Sequence, residues 1–265
     1  MAAETVLAFP WLAAVPPTSE GERKPGFAKV QEYLDRFGYM PSDDFELGVL
    51  DERTKQALAR YQRFFHLEET GEFDEPTRAA MMQPRCALPD PDPDHAVAFA
   101  TVCAWDRRNL TYALDTGTGD VAGETEWGAI RNAFRSWEAL GSLTFREVGI
   151  NDNPDIRVGW RPANDPDLSM VGGTLAHADF PPLCGVVTNE LPKPVHFDDS
   201  EHVWSIGALA NAFDIETVAL HEIGHIVGLA HSSVPGAVML PTVSANFTKR
   251  ALTQDDIDGH AQLYP

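Results

Sequence analysis

The strongest chemical signal in the sequence is a run of histidines, His221-Glu222-Ile223-Gly224-His225-Ile226-Val227-Gly228-Leu229-Ala230-His231. On a helix, His221 and His225 stand one turn apart and project from one face. Two neutral imidazoles so placed bind Zn²⁺, and Glu222 lies beside them as a base for water. A straight helix would carry His231 away from that face. Gly228 tolerates positive φ, so it can end the helix and fold the chain back, returning His231 as a third ligand. Three protein ligands leave one position open, as catalytic zinc sites do. The five-residue core of the run arises by chance on amphipathic helices, whereas the extension through Gly228 and His231 is far more specific. Met239 follows in Gly236-Ala237-Val238-Met239-Leu240-Pro241. Alone, such a methionine is a core filler.

These residues need a scaffold, and the chain of 265 residues is long enough for about two domains. It carries 20 Lys+Arg against 40 Asp+Glu, a formal charge of −20, with 43% hydrophobic residues. That composition folds. The acidity excludes nucleic acid as the main partner and disfavours anionic membrane surfaces. No apolar run approaches the ~18 residues of a membrane span. Met1–Pro17 lacks a basic start and is interrupted by Pro10, so it reads as a mature start rather than a signal peptide. Three cysteines are too few for a disulfide framework, and the odd count leaves one over.

Residues 24–83 read as a helical unit. Phe27, Val30, Leu34 and Phe37 recur at a helical period, and Gly38 stops the run. After a turn around Pro41–Asp44, Asp51 caps a second helix, and Asp74-Glu75-Pro76 opens a third through Met82. No internal repeat stands out. The alternating Pro and Asp of residues 88–94 cannot continue a helix or join a central strand, which marks a linker. Beyond it the pattern becomes mixed. Asn109–Asp115, Leu143–Val148, Asp155–Trp160, Gly173–Phe180 and Val195–Phe197 read as strands. Glu124–Leu140, Asn211–Gly228 and a segment from Thr253 read as helices, the last opened by a capping box.

With the histidine run upstream, the Met239 segment resembles the Met-containing turn of metzincins. Pro84-Arg85-Cys86-Ala87-Leu88-Pro89-Asp90 resembles the latency segment of a matrixin (matrix metalloproteinase) zymogen. The resemblance covers most of residues 24–265. It includes Leu110-Thr111-Tyr112, the helix through Trp137, Leu143-Thr144-Phe145, Asp155-Ile156, and Leu252–Ile257 with Leu263-Tyr264. It implies an α+β chain, an all-helical prodomain followed by a metzincin catalytic domain with a twisted, mostly parallel sheet and three helices. The expected divisions are an extension over 1–23, a prodomain akin to peptidoglycan-binding modules over 24–83, a switch segment and linker over 84–108, and a catalytic domain over 109–265. The family's appended β-propeller is not expected in this chain.

The resemblance further implies that Cys86 binds the catalytic zinc of the latent form, where a thiolate displaces the attacking water, and that Arg85 pairs with a carboxylate. Ala87 and Leu88 stand where the family usually has Gly and often has Val. His177 and His196 match two ligands of a structural zinc. The family's upstream His-x-Asp pair is missing, which leaves Asp165 or Asp167 to contribute. Asp198, Glu201 and Asp155 match calcium positions, although the loop Ser169–Thr174 lacks an expected Asp. Cys103 and Cys184 either pair, as suits an oxidising compartment, or remain thiols.

The function expected is a secreted, latent zinc endopeptidase acting on extracellular proteins and released by an activating protease that cuts between about 91 and 108. Extended substrate would pair with the strand near Thr174–Phe180. The side chain after the scissile bond would enter a pocket between His221 and Pro241–Val243. Two alternatives remain at this level. One is a cell-wall glycan-binding protein with a secondary or inactive protease domain, and the other is a non-catalytic protein that Cys86 holds shut.

Overall fold

A computed structural model describes residues 6–40, 44–91 and 100–265. The first five residues, most of the turn expected at 41–44, the end of the Pro/Asp linker, and much of the expected activation region lie outside the described residues. The chain divides into two compact units, one helical and one mixed.

The helical unit holds α1 (Ala28–Arg36), α2 (Glu52–Phe64) and α3 (Glu75–Met81). Apolar residues at helical spacing (Val30, Leu34, Leu58, Tyr61, Phe64) are buried together with Phe27 and Phe37. Residues 7–23 of the expected 1–23 extension belong to this unit rather than preceding it. Pro10–Ala14 forms a 3-10 turn, and Phe9, Leu12 and Val15 are buried in the same core. Their apolar side chains leave water there, and that draws the segment in.

The structure also reveals a repeat that residue-by-residue reading passed over. Gly48-Val49-Leu50-Asp51-Glu52-Arg53-Thr54 and Gly71-Glu72-Phe73-Asp74-Glu75-Pro76-Thr77 share the pattern Gly-x-x-Asp-x-x-Thr. In both, the Asp side chain accepts the N–H of the Thr and caps a helix, Asp51 for α2 and Asp74 for α3. A buried glutamine secures each loop. Gln31 accepts from Gly48 N and donates to Thr54, as Gln62 accepts from Gly71 N and donates to Thr77.

The mixed unit contains residues 84–87 and the described chain beyond residue 100. The segment expected as one stretch over 84–108 is therefore divided, with Leu88 onward to the end of the described linker grouped with the helical unit. Its sheet runs β2-β1-β3-β5-β4. The strands are β1 (Asn109–Leu114), β2 (Thr144–Glu147), β3 (Ile156–Arg161), β4 (Ala176–Ala178) and β5 (Lys193–Asp198). All pairings are parallel except that of β4, which lies antiparallel at the edge against β5. Helix α4 (Thr125–Glu138) buries Trp127, Ile130, Phe134 and Trp137, and Trp137 Nε1 donates to the Leu220 carbonyl of α5 (Ile215–Ile226) at 2.9 Å. Helix α6 (Gln254–Leu263) closes the unit.

Two elements are shorter than their sequence pattern. The strand expected over Gly173–Phe180 keeps only Ala176–Ala178, because Asp179 gathers the N–H groups of Phe180, Val186, Val187 and Thr188 and turns the chain into a loop. The helix expected from Asn211 starts at Ile215. Asn211 has φ +59°, and Phe213–Asp214 (β7) pairs instead with Trp204–Ser205 (β6). Asp214 then caps α5 by accepting from Thr217 N.

Candidate metal centre

Helix α5 carries His221, Glu222 and His225 one turn apart, all buried. It ends as expected at Gly228, whose φ of +102° lets the chain double back. A Cβ there would also run into the Cys103 carbonyl, so only glycine fits. The return brings the His231 ring centroid to 5.2 Å from that of His221 and 4.8 Å from that of His225. Gly224 has a different reason: a Cβ at that position would collide with Met239 Sδ, so its absence lets the Met239 turn pack against α5. Asp256 holds that turn by accepting Val238 N at 3.0 Å and Met239 N at 3.1 Å, while also capping α6 through Thr253. The sequence showed Asp256 only as a capping residue.

The ring orientations follow from carbonyls, which only accept. His221 Nδ1 donates to Val238 O at 2.8 Å and His225 Nδ1 to Leu229 O at 2.7 Å. This fixes the tautomers and leaves each Nε2 lone pair facing inward, with the two Nε2 atoms 3.1 Å apart. Burial is the largest influence on both rings. With the neighbouring imidazoles it pushes His221 down to about 3 and His225 well below the usual range, so both are neutral. Neutral converging nitrogens are metal donors. Cys86 Sγ lies 3.5 Å from His225 Nε2 and 3.7 Å from Glu222 Oε2. One donor atom from each of Cys86, His221, His225 and His231 lies within 4.8 Å of the others. A set of three nitrogens and one sulfur fits Zn²⁺. Burial pushes Glu222 up to about 8, with the Cys86 thiol pulling the other way, and its Oε1 is buried without a partner.

The Cys86 segment is threaded between two chains. Leu175 N donates to Arg85 O, Ala87 N to Ala176 O, Cys86 N to Pro241 O, and Val243 N to Pro84 O. Arg85 is fully buried and its Nε donates to the Cys86 carbonyl. Ala87 is not among the residues with positive φ, so its extra methyl imposes no left-handed strain on the segment. Beside the centre, a pocket opens at His221 and Glu222. Leu175, Val218, Leu240, Pro241 and Val243 form its apolar walls, and Thr217 and Lys249 also line it. Lys249 was not singled out by sequence, because nothing local ties it to the histidines.

A second cluster forms from residues named as a remnant. Asp165 Oδ2 lies 3.2 Å from His177 Nε2 and 2.7 Å from His196 Nδ1. Asp165, rather than Asp167, is thus the central acid, and Asp167 stands 3.6 Å from His196 at the rim. Burial is the largest single influence on each partner but prevails only at His196. It pushes His196 down to about 4, whereas at Asp165 the hydrogen bond to His177 and its neighbours overcome it and hold the carboxyl at about 2.

Asp198 and Glu201 also come together, with His202. Glu201 Oε2 accepts from Gly172 N and Gly173 N, Asp198 Oδ1 accepts from the Ser200 hydroxyl and N–H groups, and Asp198 Oδ2 is buried without a partner. Asp155, expected as a calcium ligand, stands apart from this group. Its oxygens accept from Arg107 Nη2 at 2.5 Å and from the N–H and hydroxyl of Thr111. It joins no metal-binding group among the described residues. An arginine and two further donors thus surround the carboxylate. Cys103 and Cys184 are joined in a disulfide.

The matrixin family profile matches residues 104–265, and a putative peptidoglycan-binding domain profile matches residues 23–81. The chain is 31% identical to human matrix metalloproteinase-19 over 96% of its own length and 49% of that protein. It is 31% identical to metalloendoproteinase 1 of Glycine max over 92% of its length and 83% of that protein. It is 34% identical to human neutrophil collagenase over 89% and 49% respectively. The chain thus spans about half the length of the two human relatives.

Proposed function

The chain belongs to the matrixin family, and from that premise we propose that it is a latent zinc-dependent endopeptidase. The observation that carries this reading is the convergence of Cys86, His221, His225 and His231 beside Glu222. His221, His225 and His231 would hold the metal, with Cys86 as the additional donor of the latent form. Zinc bound there supplies a Lewis acid that polarises the scissile carbonyl and raises the acidity of water. Glu222 accepts the proton of the attacking water and passes it to the leaving amine. Its unpartnered Oε1 is available for that water. Displacing the Cys86 segment frees the Ala176 carbonyl and the Leu175 N–H on the edge strand, and an extended peptide takes up those bonds by β-augmentation.

Glu222→Ala is expected to retain zinc and lose peptide cleavage by about 10²–10⁴-fold. Unchanged turnover would refute the role. Modification of the Cys86 thiol with an organomercurial is expected to start cleavage of a generic peptide in the full chain. Continued silence in zinc-loaded protein would favour permanent closure by Cys86.

The wider proposal has four parts. Extracellular protein substrates and a secreted location are supported by the Cys103–Cys184 bond, which suits an oxidising compartment. Activation follows from a protease cutting between about 91 and 108. A second zinc is held by Asp165, His177 and His196, and calcium by Asp198 and Glu201, for which metal analysis after dialysis is the test. Glycan binding by the helical unit is supported by its profile match and is tested by a peptidoglycan pull-down.

A further inference from the structure

The pocket beside the metal centre has apolar walls but one cation, Lys249. Among the described residues no carboxylate stands within ion-pair distance of it, in a chain with 40 acids against 20 bases. The ammonium is held in place. Lys249 N donates to Thr217 Oγ1 at 2.8 Å, that hydroxyl donates to Asp214 Oδ2 at 2.7 Å, and Lys249 Nζ donates to Ala237 O at 2.6 Å. An ammonium has three N–H donors, so two remain. The acid that acts on it from nearby, Asp256, already spends both oxygens on Val238, Met239 and Thr253. Lys249 lines the same pocket as His221 and Glu222. Among the described residues Glu222 is the sole carboxylate lining the pocket, and it is committed to the chemistry.

We propose that Lys249 makes this pocket selective for peptides with an acidic side chain, glutamate above all, directly after the scissile bond. The inference rests on the protease reading above and deepens it. The two methylenes of glutamate suit walls such as Leu175, Val218 and Val243, and its carboxylate would pair with the ammonium of Lys249, which lines the same pocket. Apolar walls weaken solvent screening, so the pair is stronger than a surface salt bridge. Burial also depresses the lysine, against the pull of Asp256, as expected for a cation awaiting a counter-ion.

The test uses the zinc-loaded full chain, activated by proteolysis between about 91 and 108 and separated from the released Cys86 segment, and three peptides that differ only after the scissile bond, with Glu, Gln or Leu. The Glu peptide is expected to exceed the near-isosteric Gln peptide by about tenfold in kcat/KM, and Lys249→Met to reduce that ratio to about one. Because the ratio is read on one preparation, a general loss of folded enzyme cancels. Adding Glu222→Gln allows the same ratio to be read as relative Kd by fluorescence anisotropy, without turnover. Cleavage of the Leu peptide with a Glu-to-Gln ratio of one or less in the Lys249 chain overturns the proposal and leaves the protease reading intact. No zinc-dependent cleavage of any of the three removes both.

Discussion

The two histidine clusters of the mixed unit use similar donors but place their carboxylate differently. Around His221, His225 and His231 the outer ring nitrogens of the first two are occupied by backbone carbonyls, and the inner ones converge with no carboxylate between them. Glu222 stands to the side, next to Cys86. Around His177 and His196 the acid is at the middle, and one oxygen of Asp165 meets both rings. The first cluster crowds neutral donors that a cation would satisfy together. The second already contains a hydrogen-bonding partner for its imidazoles. A base kept beside the donors can serve chemistry, whereas one placed among them can hold the imidazoles together and join them as a metal donor.

The contrast can be broken most sharply at His225. His225→Ala is expected to abolish tight zinc binding and cleavage together, measured by metal content and peptide assay. Retention of one tightly bound, catalytically competent zinc would mean that the inward nitrogens are not the ligand set. The next largest effect is on stability. Asp165→Ala strands two buried imidazoles and is expected to cost about 2–3 kcal/mol, which lowers the melting temperature by roughly 4–12 °C. A shift below a degree would show that the carboxylate contributes no cohesion. The smallest effect concerns exchange. With three ligands rather than the four of a closed structural site, the second zinc is expected to leave at lower chelator concentration than the first. Loss of both metals in one step would erase the distinction.

Much of this was legible in the residues. The period-3.6 runs and Asp caps located α1, α2 and α3, and the turn at Gly228 follows from glycine's tolerance of positive φ. What was not legible depends on partners distant in sequence. Asp155 was expected at a calcium position, and its bonds from Arg107 and Thr111 could not be read from its neighbours in the chain. Choosing Asp165 over Asp167 required knowing which carboxylate the fold turns inward. Gly224 reads as a helix weakener, and only the approach of Met239 explains it. The paired segments from Gly48 and Gly71 share four residues in seven (Gly, Asp, Glu and Thr), a match too short to stand out until the shared caps are seen.

The Cys103–Cys184 bond has a consequence for how the molecule can be taken apart. It joins the start of the mixed unit's main run to the loop between β4 and β5, 81 residues further on. A backbone cut on the N-terminal side of residue 103 severs every covalent link between the Cys86 segment and the rest of the mixed unit. A cut between residues 103 and 108 leaves that segment tethered through sulfur, so dissociation then requires reduction as well as proteolysis. A gap of a few residues in the cleavage position thus separates release by a protease alone from release gated by the redox state of the surroundings.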